Sequence, residues 1–254
     1  MKDLAIIILA AGQGKRMKNP DLPKVLVELN GKPLLGHVLD QANVLEPKKI
    51  VNVIGHFKEK VIDYVNSLSN NTNSEISYAY QEEQLGTGHA VNMAKESLRD
   101  FVGNVLILCG DVPLLQAGTL ISFIKEHENS YSKLSVLSAI APNPFGYGRI
   151  IRDAKGEFQK IVEEKDANVH EQKTDEINSG IYIVDAKILF DTLSEVENNN
   201  AQNEYYLTDI VKISKNKNMQ VNAVKGVIFD ELMGVNSQED LQIAEKYYQE
   251  NFAN

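Results

Sequence analysis

The chain has 254 residues, 43% hydrophobic and 24% charged, which places it among ordinary globular proteins long enough for one large α/β core. A net charge of −9 argues against nucleic acid or an anionic membrane as partner, so an anionic substrate would have to meet a local cluster of cations. The single Cys109 excludes an internal disulfide, no apolar run is long enough for a bilayer, and Met1-Lys2-Asp3 leads straight into the first strand; a cytoplasmic protein is expected.

Leu4–Leu9 reads as a buried parallel strand. It runs into Ala10-Ala11-Gly12-Gln13-Gly14, then Lys15-Arg16-Met17, and a little later Leu22-Pro23-Lys24. Small residues let backbone N–H groups approach an anion closely, and the cations add charge that amides lack. A polyphosphate suits that combination best. Two other readings compete. One is an ordinary βα turn whose glycines only relieve strain. The other is a dinucleotide fingerprint, weakened because Met17 replaces its third glycine and Glu28 comes too early to bind a ribose.

Further strands are predicted at Lys49–Ile54, Ile76–Tyr80, Val105–Cys109 and Leu134–Ile140. Helical patterns lie near Pro33–Leu45, Phe57–Leu68, Thr87–Arg99 and Ala117–Glu128, and the Asn/Ser-rich patch Ser67–Ser74 reads as a surface loop. This rhythm implies an α/β fold, a mostly parallel sheet with helices on both faces and ligands at the C-terminal edge of the strands. After about Asn143 the rhythm changes. Arg149–Arg152 and Glu157–Glu163 suggest a hairpin around Asp153-Ala154-Lys155-Gly156. A polar stretch (Lys165–Glu176), a strand (Gly180–Val184), a helix (Ala186–Val196) and a loop (Asn198–Gln202) follow. Then come a helix (Tyr206–Ser214), a strand (Val221–Val224) and a last helix (Gln238–Gln249). There is no internal repeat and no clean linker.

Leu9-Ala10-Ala11-Gly12 with Gly14, Arg16 and Leu22-Pro23-Lys24 resembles the signature of sugar-1-phosphate nucleotidylyltransferases. Gln81-Glu82-Glu83-Gln84-Leu85-Gly86-Thr87-Gly88-His89-Ala90 narrows the match, because it resembles the nucleobase loop of N-acetylglucosamine-1-phosphate uridyltransferases. So do Gly110-Asp111-Val112-Pro113-Leu114, Gly146-Tyr147-Gly148-Arg149-Ile150, Ile161-Val162-Glu163, Glu176-Ile177-Asn178-Ser179-Gly180, Asn203-Glu204-Tyr205-Tyr206-Leu207-Thr208-Asp209 and Gly234-Val235-Asn236, in family order.

The resemblance implies a Rossmann-like, mostly parallel mixed sheet flanked by helices, with a small β insertion. The nucleotidyltransferase domain would span 1–235 and a C-terminal helix 236–254. It also implies transfer from UTP to N-acetylglucosamine 1-phosphate, giving pyrophosphate and UDP-N-acetylglucosamine, a precursor for peptidoglycan and lipopolysaccharide. Family members commonly add a left-handed β-helix that acetylates glucosamine 1-phosphate. Its hexapeptide repeats do not occur before Asn254, so no acetyl transfer is expected, whether the chain is truncated or a natural single-domain form. Oligomeric state is left open.

The same resemblance assigns roles. Asp111 and Asn236 would hold Mg²⁺; taken alone, Asp111 could be a turn or cap residue and Asn236 the cap of the last helix. Lys24, otherwise a solvated strand-edge lysine, would neutralise phosphate charge, with Arg16 and Lys15 on the β- and γ-phosphates. Leu9, Ala10, Ala11, Gly12, Gly14, Cys109 and Gly110 would line the nucleotide. Gln81 and the Gly86 backbone would meet the uracil edge, with Thr87 a contact or an N-cap. Gly148, Glu163 and Asn178 would hold the sugar and Lys165 its phosphate; the plainer readings are a Glu163–Lys165 salt bridge and a turn at Asn178. His89 is expected to be structural. Cys109 stands where members often carry a tyrosine, so a contact near the sugar or ribose is lost or supplied otherwise, and a small buried residue is expected rather than a reactive thiol. A related sugar phosphate such as glucose 1-phosphate is one alternative. A non-catalytic nucleotide-sugar sensor is another, against which intact Lys24, Asp111 and Asn236 speak.

Overall fold

A computed structural model describes residues 3–12, 14–17, 22–68, 72–226 and 228–252; part of the expected surface loop 67–74 therefore lies outside the described residues. Strand β1 (Leu4–Ala10) is apolar throughout because both its faces are buried: Ala5 and Ile7 enter one core cluster, Ile6 and Ile8 another. It pairs in parallel with β4 (Lys49–Ile54) and β6 (Asn104–Cys109), and β5 (Glu75–Tyr80) extends the sheet beyond β4. On the other side β10 (Glu176–Asp185) runs antiparallel between β6 and β7 (Leu134–Ile140), and β11 (Val221–Lys225) closes that edge parallel to β7. A hairpin of β8 (Arg149–Arg152) and β9 (Phe158–Val162) joins β10 through Arg149, and β2 (Glu28–Leu29) with β3 (Lys32–Pro33) forms a separate small ribbon.

Helices α1 (Leu34–Val44), α2 (Lys58–Leu68) and α4 (Ala117–Asn129) cover the Ile6/Ile8 face; α3 (Thr87–Met93), α5 (Ala186–Leu193) and α6 (Asp209–Asn216) cover the other. Helix α7 (Gln238–Asn251) sets Leu241 and Ala244 against Leu29, Leu34 and Val235, and Tyr248 meets His37 edge-on at 5.4 Å. The chain leaves β1 for β4 and β5 on one side and returns to β6 on the other. That reversal opens a crevice at the C-terminal end of β1.

The expected α/β class and mixed sheet are present; several boundaries differ. The helix at Thr87 stops at Met93, because residues 94–99 tighten into i→i−3 bonds (Ala94 to Val91, Lys95 to Asn92, Arg99 to Glu96) while Ala94 and Leu98 keep the apolar spacing. The helix expected from Tyr206 begins at Asp209, since the backbone just before it is engaged elsewhere: Tyr205 O accepts from Gly88 N (2.8 Å) and Leu207 N donates to Thr87 Oγ1 (3.1 Å). Helix α5 ends at Leu193, short of Val196, and α2 starts after Phe57, whose φ of 61° is not helical.

Strand β10 begins at Glu176, inside what reads as a polar stretch. Glu176 is 6% exposed, yet Arg152 Nε and Nη2 grip its two oxygens at 2.8 and 2.7 Å and Ser138 Oγ donates at 2.7 Å. Burial alone would push this carboxyl up; the Arg152 and Ser138 bonds carry it below the ordinary range. Its pKa is thus lower folded than unfolded, so the stabilisation exists above the unfolded pKa and fades as pH falls through the folded one. Arg152→Ala should cost about 2–3 kcal/mol near neutral pH, less than for a fully buried pair because the arginine is partly exposed. Urea melts at pH 7 and pH 4 check this; the gap between variant and parent should narrow at the lower pH.

Candidate active site

The crevice is built from the turn after β1. Gly14 has φ +60°, and a Cβ there would fall 2.6 Å from Lys24 Cβ, so a side chain is barred and the turn packs directly on Lys24. Pro23 leads into a 3₁₀ turn, Lys24–Leu26, anchored by buried Val25 and Leu26. The Lys24 ammonium donates to Asp111 Oδ2 and to Asn236 Oδ1, the latter at 2.8 Å. Residues 87 and 212 positions apart thereby meet on one cation.

The frame around this cluster is made of backbone bonds. Val235 N donates to Asp111 O at 2.8 Å, and Asn236 N donates to Asp240 Oδ2 at 2.9 Å. Asn236 does not cap the last helix: Ser237 does, its Oγ accepting from Asp240 N at 3.1 Å, which frees the Asn236 carboxamide for the cluster.

A cavity of about 290 Å³ lies beside the cluster. Gly12, Lys24, Cys109 and Asp111 line it, together with Leu9, Ala11, Gln81, Gly86 and Thr87. Gln81 is 5% exposed, and its Nε2 donates to Gly86 O (3.1 Å) and lies 3.1 Å from His89 Nδ1. His89, expected to be structural, contributes this one contact to Gln81. Both carboxamide hydrogens are turned inward, which leaves Oε1 as the acceptor. Gly86 has φ +110°, and a Cβ would meet Tyr205 O at 2.6 Å. Thr87 is not the N-cap of α3, a position held by Gly86; its hydroxyl accepts from Leu207 N instead. Ala10 and Gly110 sit behind this lining, Ala10 in the core and Gly110 N bonded to Leu9 O at 2.9 Å.

A second group lies on β10 and the β8–β9 hairpin. A Cβ on Gly148 would stand 3.3 Å from Glu163 Oε2 and 3.5 Å from Asn178 Cβ, so the three are packed together. Asn178 is part of β10 rather than a turn, its N donating to Gly148 O at 2.8 Å. Glu163 takes a hydrogen bond from Thr208 Oγ1 (3.2 Å) in place of a salt bridge with Lys165, and burial pushes its carboxyl above the ordinary range despite that bond. Lys165 is exposed and lines neither this cavity nor the one of about 410 Å³ beside Glu163 and Thr208. Arg16 is exposed on the turn Lys15–Met17; the side chain of Lys15 lies outside the described residues. Cys109, expected to be a small buried residue, is half-buried and lines the cavity; burial pushes its thiol up to about 12.

Sequence reasoning missed Gln84, whose carboxamide donates to Ala11 O, and Thr208. It also missed Tyr147, which sits edge-on to Phe229 at 5.7 Å and whose hydroxyl is pushed up by burial and by the charges of Asp240 and Asp111. Tyr147 and Thr208 lay inside quoted motifs, but no spacing rule said which members faced the crevice.

A small-residue turn over a mixed sheet, with the Lys24 ammonium held by an aspartate and an asparagine, lies in an α/β fold of the nucleotidyltransferase type. The chain belongs to the nucleotidyl transferase family, whose profile matches residues 5–228. Among its relatives is the bifunctional protein GlmU of Streptococcus agalactiae, 47% identical over 247 residues, which is 97% of this chain and 52% of that protein. Another is the bifunctional protein GlmU of Latilactobacillus sakei, 48% identical over 240 residues, 94% of this chain and 50% of that protein. The chain spans about half the length of these relatives. Solved structures share the fold. A UDP-glucose pyrophosphorylase complexed with UDP-glucose has a TM-score of 0.78 at 21% identity, over 98% of this chain and 99% of that one. A putative glucose-1-phosphate thymidylyltransferase from Bacillus anthracis has a TM-score of 0.76 at 18% identity, over 99% and 98%. No helix among the described residues is long and apolar enough to cross a membrane.

Proposed function

We propose that this chain joins UTP to N-acetylglucosamine 1-phosphate, releasing pyrophosphate and forming UDP-N-acetylglucosamine. The observation that carries the reading is the convergence of Asp111 and Asn236 on Lys24, with Lys24 and Asp111 lining a cavity that Gly12 and Gly86 also line. A sugar-phosphate oxygen attacks the α-phosphorus in line with departing pyrophosphate; both groups are anions, so positioning and charge neutralisation are the main tasks. No covalent nucleophile is needed.

Lys24 neutralises phosphate charge, joined by Arg16 and, from the same turn, Lys15. The donors of Asp111 and Asn236 fit Mg²⁺: a carboxylate and an amide oxygen already share one cation, and a hard ion that also takes phosphates and water needs only one or two protein oxygens. Bound there, Mg²⁺ would withdraw charge from the triphosphate. Gln81 Oε1, with its amide hydrogens engaged by Gly86 and His89, accepts from uracil N3–H, a donor that cytosine lacks. Glu163 and Asn178, packed on Gly148, take the sugar hydroxyls and acetamido group.

The test is a panel of sugar 1-phosphates with UTP and Mg²⁺, read as pyrophosphate released. kcat/KM should be highest for N-acetylglucosamine 1-phosphate, at least tenfold above glucose 1-phosphate, the discrimination expected of a pocket that hydrogen-bonds the acetamido group. A preference for glucose 1-phosphate would reassign the sugar. Silence with every sugar phosphate, while calorimetry shows UDP-sugar binding, would make the chain a sensor.

A further inference from the structure

Of the groups around the crevice, Gln84 has no role so far. It is exposed on the loop between β5 and α3, and it lines the cavity of about 290 Å³ together with Ala11 and Gly12. Its Nε2 donates to Ala11 O, 73 positions away. One side chain thus ties the loop that carries Gln81 to the small-residue turn after β1.

The direction of the Ala11 carbonyl follows from the sheet. Strand β1 lies between β6 on one side and β4, then β5, on the other. Gln84 follows β5 and Gly55 follows β4, and a Cβ on Gly55 would stand 3.0 Å from both Ala11 O and Gln81 O. The carbonyl therefore points toward the β4–β5 side. In a planar trans peptide the N–H is opposed to the C=O. The N–H of Gly12 shares a peptide unit with Ala11 O, so it is turned the other way, toward the β6 side, where Asp111 meets Lys24. Among the described residues nothing accepts from that N–H, and a Cβ on Gly12 would have nothing within 4 Å. A glycine at 12 leaves the peptide free to rotate unless its carbonyl is held. Gln84 holds it.

We propose that Gln84 is a positioning residue for phosphate binding: by gripping Ala11 O it fixes the Gly12 N–H as a donor aimed at the triphosphate. The proposal rests on reading the crevice as a UTP site. Gln84 spends its amide hydrogen on the protein and acts through the Ala11–Gly12 peptide. A donor fixed before the anion arrives loses no freedom on binding it, which is where the gain in affinity comes from.

The experiment titrates ¹⁵N-labelled parent and Gln84→Met with tripolyphosphate plus Mg²⁺ and, separately, with uridine, following backbone amides by NMR. Methionine keeps the unbranched stem and removes the donor; because position 84 is exposed, the melting temperature should not move. In the parent, tripolyphosphate should shift the Gly12 amide proton downfield. In Gln84→Met most of that shift should vanish and the tripolyphosphate dissociation constant should rise about five- to tenfold, the effect of one misdirected hydrogen bond, with the uridine constant unchanged. A Gly12 shift of equal size in both proteins overturns the proposal, because Gln84 would then act by itself. Uridine weakened as much as tripolyphosphate also overturns it and makes Gln84 a base contact. A parent that binds both ligands with Gly12 unmoved refutes this inference alone; a parent that binds neither refutes the UTP site, and this inference with it.

Discussion

Asp111→Ala is expected to lower kcat by about 10³-fold while leaving the far-UV CD spectrum unchanged; this is at the upper end of what removing one transition-state contact costs. The fold should survive because the main chain at 111 is held independently of the side chain, by Val235 N on Asp111 O at 2.8 Å and by the strand that precedes it. What disappears is the carboxylate end of the pair that grips a cation. Asp111→Asn retains an oxygen without the charge and should fall between the two, with a raised Mg²⁺ requirement as its signature. The comparison separates a metal ligand from a partner that merely orients Lys24. If Asp111 served only to hold the ammonium, the Mg²⁺ concentration giving half-maximal rate would not move in either variant. An Asp111→Ala enzyme retaining most of its activity would remove the metal from this position altogether.

The fold was legible because its strands are apolar on both faces: β1, β4 and β6 announce themselves as short Ile/Val/Leu runs, and only a sheet sandwiched between helices needs that. What stayed hidden has a common physical cause. Glu176 and Asn178 look like loop residues, and only the partners Arg152, Ser138 and Gly180 make them tolerable in a strand. Arg152 and Ser138 come from other strands and leave no local trace, whereas Gly180 lies two positions along the same strand. The same holds for Tyr206 and Leu207, where the helical pattern yields to bonds that Tyr205 and Leu207 make with Gly88 and Thr87, more than a hundred positions away. For the site, the small-residue turn and Lys24 could be argued from residue type alone. Asn236 could not. An asparagine ahead of a helix is commonly a cap, and it took the Ser237–Asp240 exchange, which makes the cap elsewhere, to release it.

Lys24→Met should reduce kcat by about 10²–10³-fold, with KM for UTP raised less. Methionine preserves the unbranched stem that must pass Gly14, where even one added carbon would crowd Lys24 Cβ, so the turn should keep its shape. The lost quantity is then charge alone. Lys24→Arg is the sharper control: it restores the charge, but a planar fork cannot take the place of a compact ammonium between Asp111 Oδ2 and Asn236 Oδ1. Rates for Arg should stay within tenfold of Met rather than returning to the parent. Thermal melts add an independent readout. Without Lys24 the partly buried Asp111 carboxylate loses its counter-ion, so Lys24→Met should be less stable in chelator and should gain more from Mg²⁺ than the parent does. An equal gain in both proteins would mean that ammonium and metal do not share the two oxygens.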